Sequence, residues 1–192
     1  MTTSPPTRIN WKDPRRTTHG DLAITNQPRD HRRIPPTIKA KLSEIRRWPL
    51  FLYGATGRGK SCAALCVGDA SKTGCVYRTV PDMLDQVRAV SYGEAKRLTE
   101  SASHRWLWWR GWQTHPVVIL DEIGARKEVS DYHYECVYRA IDCRQDRPSI
   151  FISNLNHGEL RRVYDNRVAS RLAAGTKIFF DEDELPDMRM EQ

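Results

Sequence analysis

Eight residues constrain this 192-residue chain more than any others. Gly54-Ala55-Thr56-Gly57-Arg58-Gly59-Lys60-Ser61 fits the pattern G-x-x-x-x-G-K-[ST]. An apolar run of strand length, Pro49-Leu50-Phe51-Leu52-Tyr53, precedes it, and Cys62-Ala63-Ala64-Leu65-Cys66-Val67, which reads as a helix, follows. In that setting the pattern is a phosphate cradle. Its glycines let backbone N–H groups close around phosphate oxygens, and the helix N-terminus adds positive potential. The loop from Gly54 through Ala55, Thr56, Gly57, Arg58, Gly59, Lys60 and Ser61 to Cys62 is expected to hold a nucleoside triphosphate. Lys60 would reach its β and γ phosphates and Ser61 would ligate Mg²⁺. A chance glycine-rich turn does not account for both the strand before and the helix after. The loop leaves the reaction open.

The rest of the chain alternates between the two periodicities. Strands are predicted at 49–53, 75–80, 116–120, 148–153 and 176–180. Helices are predicted at 60 to about 72, from Pro81 through Val90, from 130 to about 144, from the capping box at Asn156 and Glu159, and over 166–173. A short helix is expected over 37–47, and a polar helical stretch from 92 to about 103. This is an α/β pattern: a five-stranded parallel sheet sandwiched by helices, with ligands at the carboxyl ends of the strands. Residues 1–36, rich in Pro, Arg and Asp, read as an extended arm, 37–180 as the domain, and 181–192 as a short acidic tail.

Three features lie at strand ends. Asp121-Glu122 follows the apolar Val117-Val118-Ile119-Leu120 directly. An acidic residue ending a buried strand is costly without a cation, and beside a phosphate cradle that cation is Mg²⁺, held by Asp121. Glu122, one residue on, would face the γ-phosphate and deprotonate an attacking water. Ser153-Asn154 ends the fourth strand. Asn154 is by itself a turn former, and in this order it is a candidate to hold the water or touch the γ-phosphate. Arg167 and Arg171, four apart, share a helix face. Spacing alone makes them an ordinary surface pair; a guanidinium there would also suit a neighbouring subunit's phosphates.

In this order the loop, Asp121-Glu122-Ile123-Gly124, Ser153-Asn154-Leu155-Asn156 and Asn166-Arg167-Val168-Ala169-Ser170-Arg171-Leu172 resemble an AAA+ ATPase. More narrowly, residues 117–172, with Ile141-Asp142-Cys143-Arg144 and Arg147-Pro148, resemble the DnaC/IstB-type helicase loaders of bacteria and phages. The resemblance covers about 48–180 and leaves out the arm. It implies ATP bound at the interface of a homo-oligomer, with Asn154 as sensor 1, Arg171 as an arginine finger acting in trans and Arg167 as a second arginine near that interface. It also implies that residues 81–103 correspond to a helical insertion lining a path for single-stranded DNA, that a C-terminal lid is missing, and that a replicative helicase is a partner. Three other readings stay open: a transposition helper ATPase on the same fold, a small-molecule kinase, and a nucleotide-gated adaptor with negligible turnover. Glu122, Asn154 and the arginine pair count against the kinase.

Charge adds one point. Residues 1–47 hold 11 Lys and Arg against 4 Asp and Glu, whereas the remainder holds 20 of each, so the whole net charge of +7 precedes the phosphate loop. That suits an anionic partner, nucleic acid first, or equally a solvated tail. No apolar run approaches the roughly 20 residues of a membrane span, and the N-terminus lacks a signal-peptide core. Five cysteines without a C-x-x-C spacing fit a reducing, cytoplasmic setting, with Cys62 and Cys66 as small buried hydrophobes. The histidines show no metal-ligand spacing. Trp106, Trp108, Trp109 and Trp112 read first as core packed beneath helices, and second as a platform for bases.

Overall fold

The computed structural model describes residues 30–70, 75–91, 105–126, 128–181 and 185. A 3-10 turn, His31–Arg33, leads into α1 (Pro36–Ser43) and β1 (Leu50–Gly54). Then come α2 (Lys60–Ala70), β2 (Cys75–Thr79), α3 (Val80–Ser91), α4 (Arg105–Thr114) and β3 (Val117–Ile123). The chain closes with α5 (Asp131–Asp142), β4 (Ser149–Ser153), α6 (His157–Val163), α7 (Asn166–Ala173) and β5 (Thr176–Phe180). The strands form one parallel sheet in the order β2-β3-β4-β1-β5. The α/β class and the five-stranded parallel sheet between helices are as the sequence predicts.

Both faces of the sheet are covered because its strands are apolar on both sides. With a period of two, Leu50 and Leu52, Ile150 and Ile152, and Ile119 point to the layer of α1 and α2. Phe51, Phe151, Val118 and Leu120 point the other way, to the layer of α3, α4, α5 and α7. The first layer reaches past both ends of the 37–180 span. Ile34 and Leu185 are buried in it.

Local chemistry sets the helix ends. Ser130 caps α5 by accepting from the backbone N–H of His133, and Asp165 caps α7 by accepting from that of Val168. Asn156 and Glu159 complete the capping box, their side chains accepting from each other's backbone N–H at 3.0 and 2.7 Å. Helix α4 occupies the aromatic run to which the sequence pattern assigns no element, and the whole of the expected 92–103 stretch lies outside the described residues. The tryptophans divide. Trp109 and Trp112 are core, with Trp112 Nε1 donating to Ala140 O at 3.0 Å, whereas Trp106 is 59 % exposed.

The base of the sheet is held by Arg144, which has no accessible surface. Its Nη1 donates to the carbonyls of Gln113 and His115, both at 2.7 Å; Nη2 donates to Pro148 O at 2.6 Å, and Nε to Ser149 Oγ at 3.0 Å. One guanidinium thus ties the entrance of β3 to the entrance of β4 through their backbone carbonyls. Desolvation pushes its pKa down to about 10, still charged at neutral pH. Arg144→Ala should lower the free energy of unfolding in urea by about 3 kcal/mol, because buried acceptors are left bare. Arg144→Lys should recover less than half, since an ammonium lacks the planar fork.

Candidate functional site

The carboxyl ends of β1, β3 and β4 meet at one edge of the sheet, and three of the sequence features meet there with them. The loop begins at Gly54, whose φ is +131°. A Cβ on it would lie 2.2 Å from Phe180 O of the adjacent β5, so only glycine fits. Gly57 and Gly59, at φ 83° and 84°, curl the loop back onto α2. Lys60 opens that helix and is buried, its Nζ donating to Gly54 O at 2.7 Å and Ala55 O at 2.6 Å. The loop therefore carries a cation folded against its own backbone. Thr56 is exposed at the tip. Arg58 Nη1 donates to Leu185 O at 2.6 Å, which ties that residue to the loop. Cys62 is buried, and its Sγ donates to Asp30 O at 3.5 Å.

Asp121 lies on the α2 side of β3, in phase with Ile119, which is why it faces the helix that carries Ser61. It is buried. Ser61 Oγ donates to its Oδ2 at 2.6 Å, Tyr77 OH donates to the same oxygen at 2.9 Å, and the backbone N–H of Glu122 donates to Oδ1 at 2.7 Å. Tyr77 has no place in the motif pattern. A phenol two residues before the end of β2 is unremarkable until the register sets β2 beside β3. Burial and the neighbouring carboxylate both raise its pKa, so it stays a donor.

Glu122 leaves the strand geometry, with φ 62°, a left-handed conformation that is uncommon outside glycine. The turn of the backbone brings its side chain out to the exposed edge beside Asp121. Partial burial raises its pKa, helped by Asp121 and Asp82. A carboxylate of higher proton affinity in this position is better suited to take a proton from water.

Asn154 follows β4 and is exposed at the same edge. Because β4 lies between β1 and β3, Asn154 stands between the loop and Asp121-Glu122. Ser153 sets that exit: its Oγ donates to Ile123 O at 2.6 Å and accepts from Leu155 N at 2.9 Å. Ser61 and Asp121 supply two hard oxygen donors in contact, the type of pair that seats Mg²⁺. Lys60, the loop and Asn154 supply donors for phosphate oxygens.

The two arginines of α7 are not part of this cluster. Arg171 Nε donates to Asp142 Oδ1 at 2.5 Å, and its guanidinium lies 4.9 Å from the centre of the Tyr138 ring. Asp142 ends α5, which runs from the exit of β3 back to the entrance of β4, so Arg171 sits toward the base of the sheet. Arg167, one turn earlier on α7, is exposed.

No family model matches this sequence, and no curated protein matches it. Solved structures do match the fold. AMPPCP-bound DnaA from Aquifex aeolicus aligns with a TM-score of 0.57 at 17 % identity, over 76 % of this chain and 43 % of that one. The replication initiator DnaA bound to AMPPCP and single-stranded DNA gives 0.53 at 19 %, over 68 % of this chain and 39 % of that one. The DnaC helicase loader gives 0.54 at 16 %, over 68 % of this chain and 76 % of that one. This chain shares the fold of these structures, a five-stranded parallel sheet between helices. This chain spans less than half the length of those DnaA chains. No helix among the described residues is long and apolar enough to cross a membrane.

The raised pKa of Glu122 makes a stability prediction. A carboxyl whose folded pKa exceeds its unfolded value of 4.5 costs stability as pH rises from 4.5 through the folded value. Glu122→Gln has no such loss. Its melting temperature relative to the parent protein should therefore rise from pH 4.5 upward and then level off, as thermal melts across pH 4 to 8 would record.

Proposed function

We propose that this chain binds ATP with Mg²⁺ and hydrolyses it, acting in DNA replication as a helicase loader that assembles with copies of itself and contacts single-stranded DNA. The observation that carries the reading is the meeting of the phosphate loop, the Ser61–Asp121 pair, Glu122 and Asn154 at one edge of the sheet. In this reading the loop N–H groups and Lys60 hold the β and γ phosphates, Lys60 exchanging its carbonyl partners for phosphate oxygens. Ser61 and Asp121 hold Mg²⁺, which would supply neutralisation of phosphate charge. Glu122 accepts a proton from the attacking water, and Asn154 orients that water or the γ-phosphate.

Arg171 belongs to the reading as a residue offered to a neighbouring copy. Within its own chain it is held by Asp142 and Tyr138, so assembly would have to replace that partly exposed ion pair. The similarity to the DnaC helicase loader and to DnaA with single-stranded DNA supports the setting in replication and a DNA contact. A replicative helicase remains the proposed protein partner, with the cytoplasm as its place of action. The open edge around Glu122 favours hydrolysis over a small-molecule kinase, which must exclude water.

Lys60→Ala should abolish binding of a fluorescent ATP analogue. Glu122→Gln should keep binding and lower hydrolysis by about 100-fold. Arg171→Ala should bind ATP normally and hydrolyse it slowly. Phosphate release at the parent rate by a well-folded Glu122→Gln protein would remove the hydrolysis mechanism, and the same result for Arg171→Ala would remove the trans role.

A further inference from the structure

Helix α4 carries a second feature, away from the nucleotide edge. It is packed along α5, and its outer side presents Trp106, the most exposed large hydrophobic side chain among the described residues. Arg110 lies 5.2 Å from the centre of the Trp106 ring, and Arg139 of α5 lies 4.6 Å from that of Trp109. Between them is a cavity of about 340 Å³ lined by Trp106, Trp109, Arg110, Gln113, Arg139 and others, with no carboxylate in its wall. Nearer the start of α4 a second cavity, of about 460 Å³, is lined by Arg88, Ser91, Arg105, Ser130 and Tyr132, again with no carboxylate. Arg88 is stacked 5.6 Å from the centre of the Tyr132 ring.

These contacts share one chemistry. Each of these guanidiniums lies over an aromatic ring, and its five N–H donors suit an anion. Arg105 and Arg110 are five residues apart on α4, about 7.5 Å along the axis. The two cavities thus place four arginines along the α4–α5 layer, with the exposed Trp106 falling between Arg105 and Arg110 in sequence. The carboxylates flanking Arg139 on α5 are Glu135 and Asp142; neither lines a cavity, and Asp142 is paired with Arg171.

We propose that the α4–α5 face binds single-stranded nucleic acid, with a base stacked on the free face of Trp106 and backbone phosphates on Arg105, Arg110 and Arg139. An unpaired base is required because a base inside a duplex offers no free face to Trp106. Charge complementarity selects an anionic strand: the cavity walls hold four arginines and no acid. The inference rests on and deepens the single-strand contact of the function proposed above, extending it from Arg88 and Ser91, within residues 81–103, onto α4 and α5. It does not depend on hydrolysis.

The test is fluorescence anisotropy of an end-labelled oligo(dT) strand with the full chain, in the absence of ATP and across a salt series. A duplex of equal length serves as competitor. The parent protein should prefer the strand. Trp106→Ala, a change on an exposed ring, should weaken strand binding about tenfold with an unaltered melting temperature. Arg110→Ala/Arg139→Ala should flatten the slope of log affinity against log salt by about 1.4, from two lost phosphate contacts at about 0.7 each. Trp106→Ala should leave basal ATP hydrolysis unchanged.

Three results would overturn the proposal. They are no strand binding, equal binding of duplex and strand, or strand binding indifferent to both variants. Poly-glutamate displacing the strand, with an affinity that depends on the arginines and not on Trp106, would reassign the face to an acidic protein and equally overturn it. Loss of the proposed ATPase function has a different signature: no phosphate release from the parent protein, with strand binding and its Trp106 dependence intact.

Discussion

The contact between Ser61 and Asp121 is the constraint on which the site depends. It joins the first residue after the lysine of the phosphate loop to the last inward-facing residue of β3, across a gap of 60 positions. A buried carboxylate needs hydrogen bonds or a cation, and here it has three donors, from Ser61, Tyr77 and the backbone of Glu122. Those donors come from α2, β2 and β3, so the register of three elements is fixed around one side chain. The same two oxygens, Ser61 Oγ and a carboxylate oxygen of Asp121, are the natural seat of a hard divalent cation.

Sheet order does the remaining positioning. With β4 between β1 and β3, the residue that follows β4 must emerge between the phosphate loop and the acidic pair. At the other end of the same strands, Arg144 ties the starts of β3 and β4 together. The strands are short, five to seven residues, so a clamp at their entrance limits movement at their exit. The clamp at the base and the candidate site at the edge thus share β3 and β4. Arg171, pinned to the end of α5 near that base, is held by the same layer that supports the site.

Much of this was legible in the sequence. The loop pattern, the wholly apolar strands and the capping box are local signals, each decided by residues within one turn or one strand of each other. The five strands and most helices follow from them. Residues whose role is set by register were not legible. Tyr77 acts on Asp121 only because β2 pairs with β3, and nothing near Tyr77 announces it. Arg144 reads as one more basic residue after a helix, and its burial depends on four carbonyls brought together by folding. Helix α4 was hidden because four tryptophans in seven positions obscure a helical period, and their split between core and surface is decided by which side meets α5. Arg171 was visible as half of a pair, but its bond to Asp142 joins α5 to α7 and has no sequence signature.

The central claim is that Ser61 and Asp121 form the metal seat of a nucleotide site. Its most direct measurement is calorimetric titration of ATP into the protein with Mg²⁺ and with a chelator, for the parent chain and for Asp121→Asn. The account predicts that Mg²⁺ tightens ATP binding at least tenfold in the parent, and that this gain disappears in Asp121→Asn while metal-free binding persists. An equal Mg²⁺ gain in both proteins would contradict it.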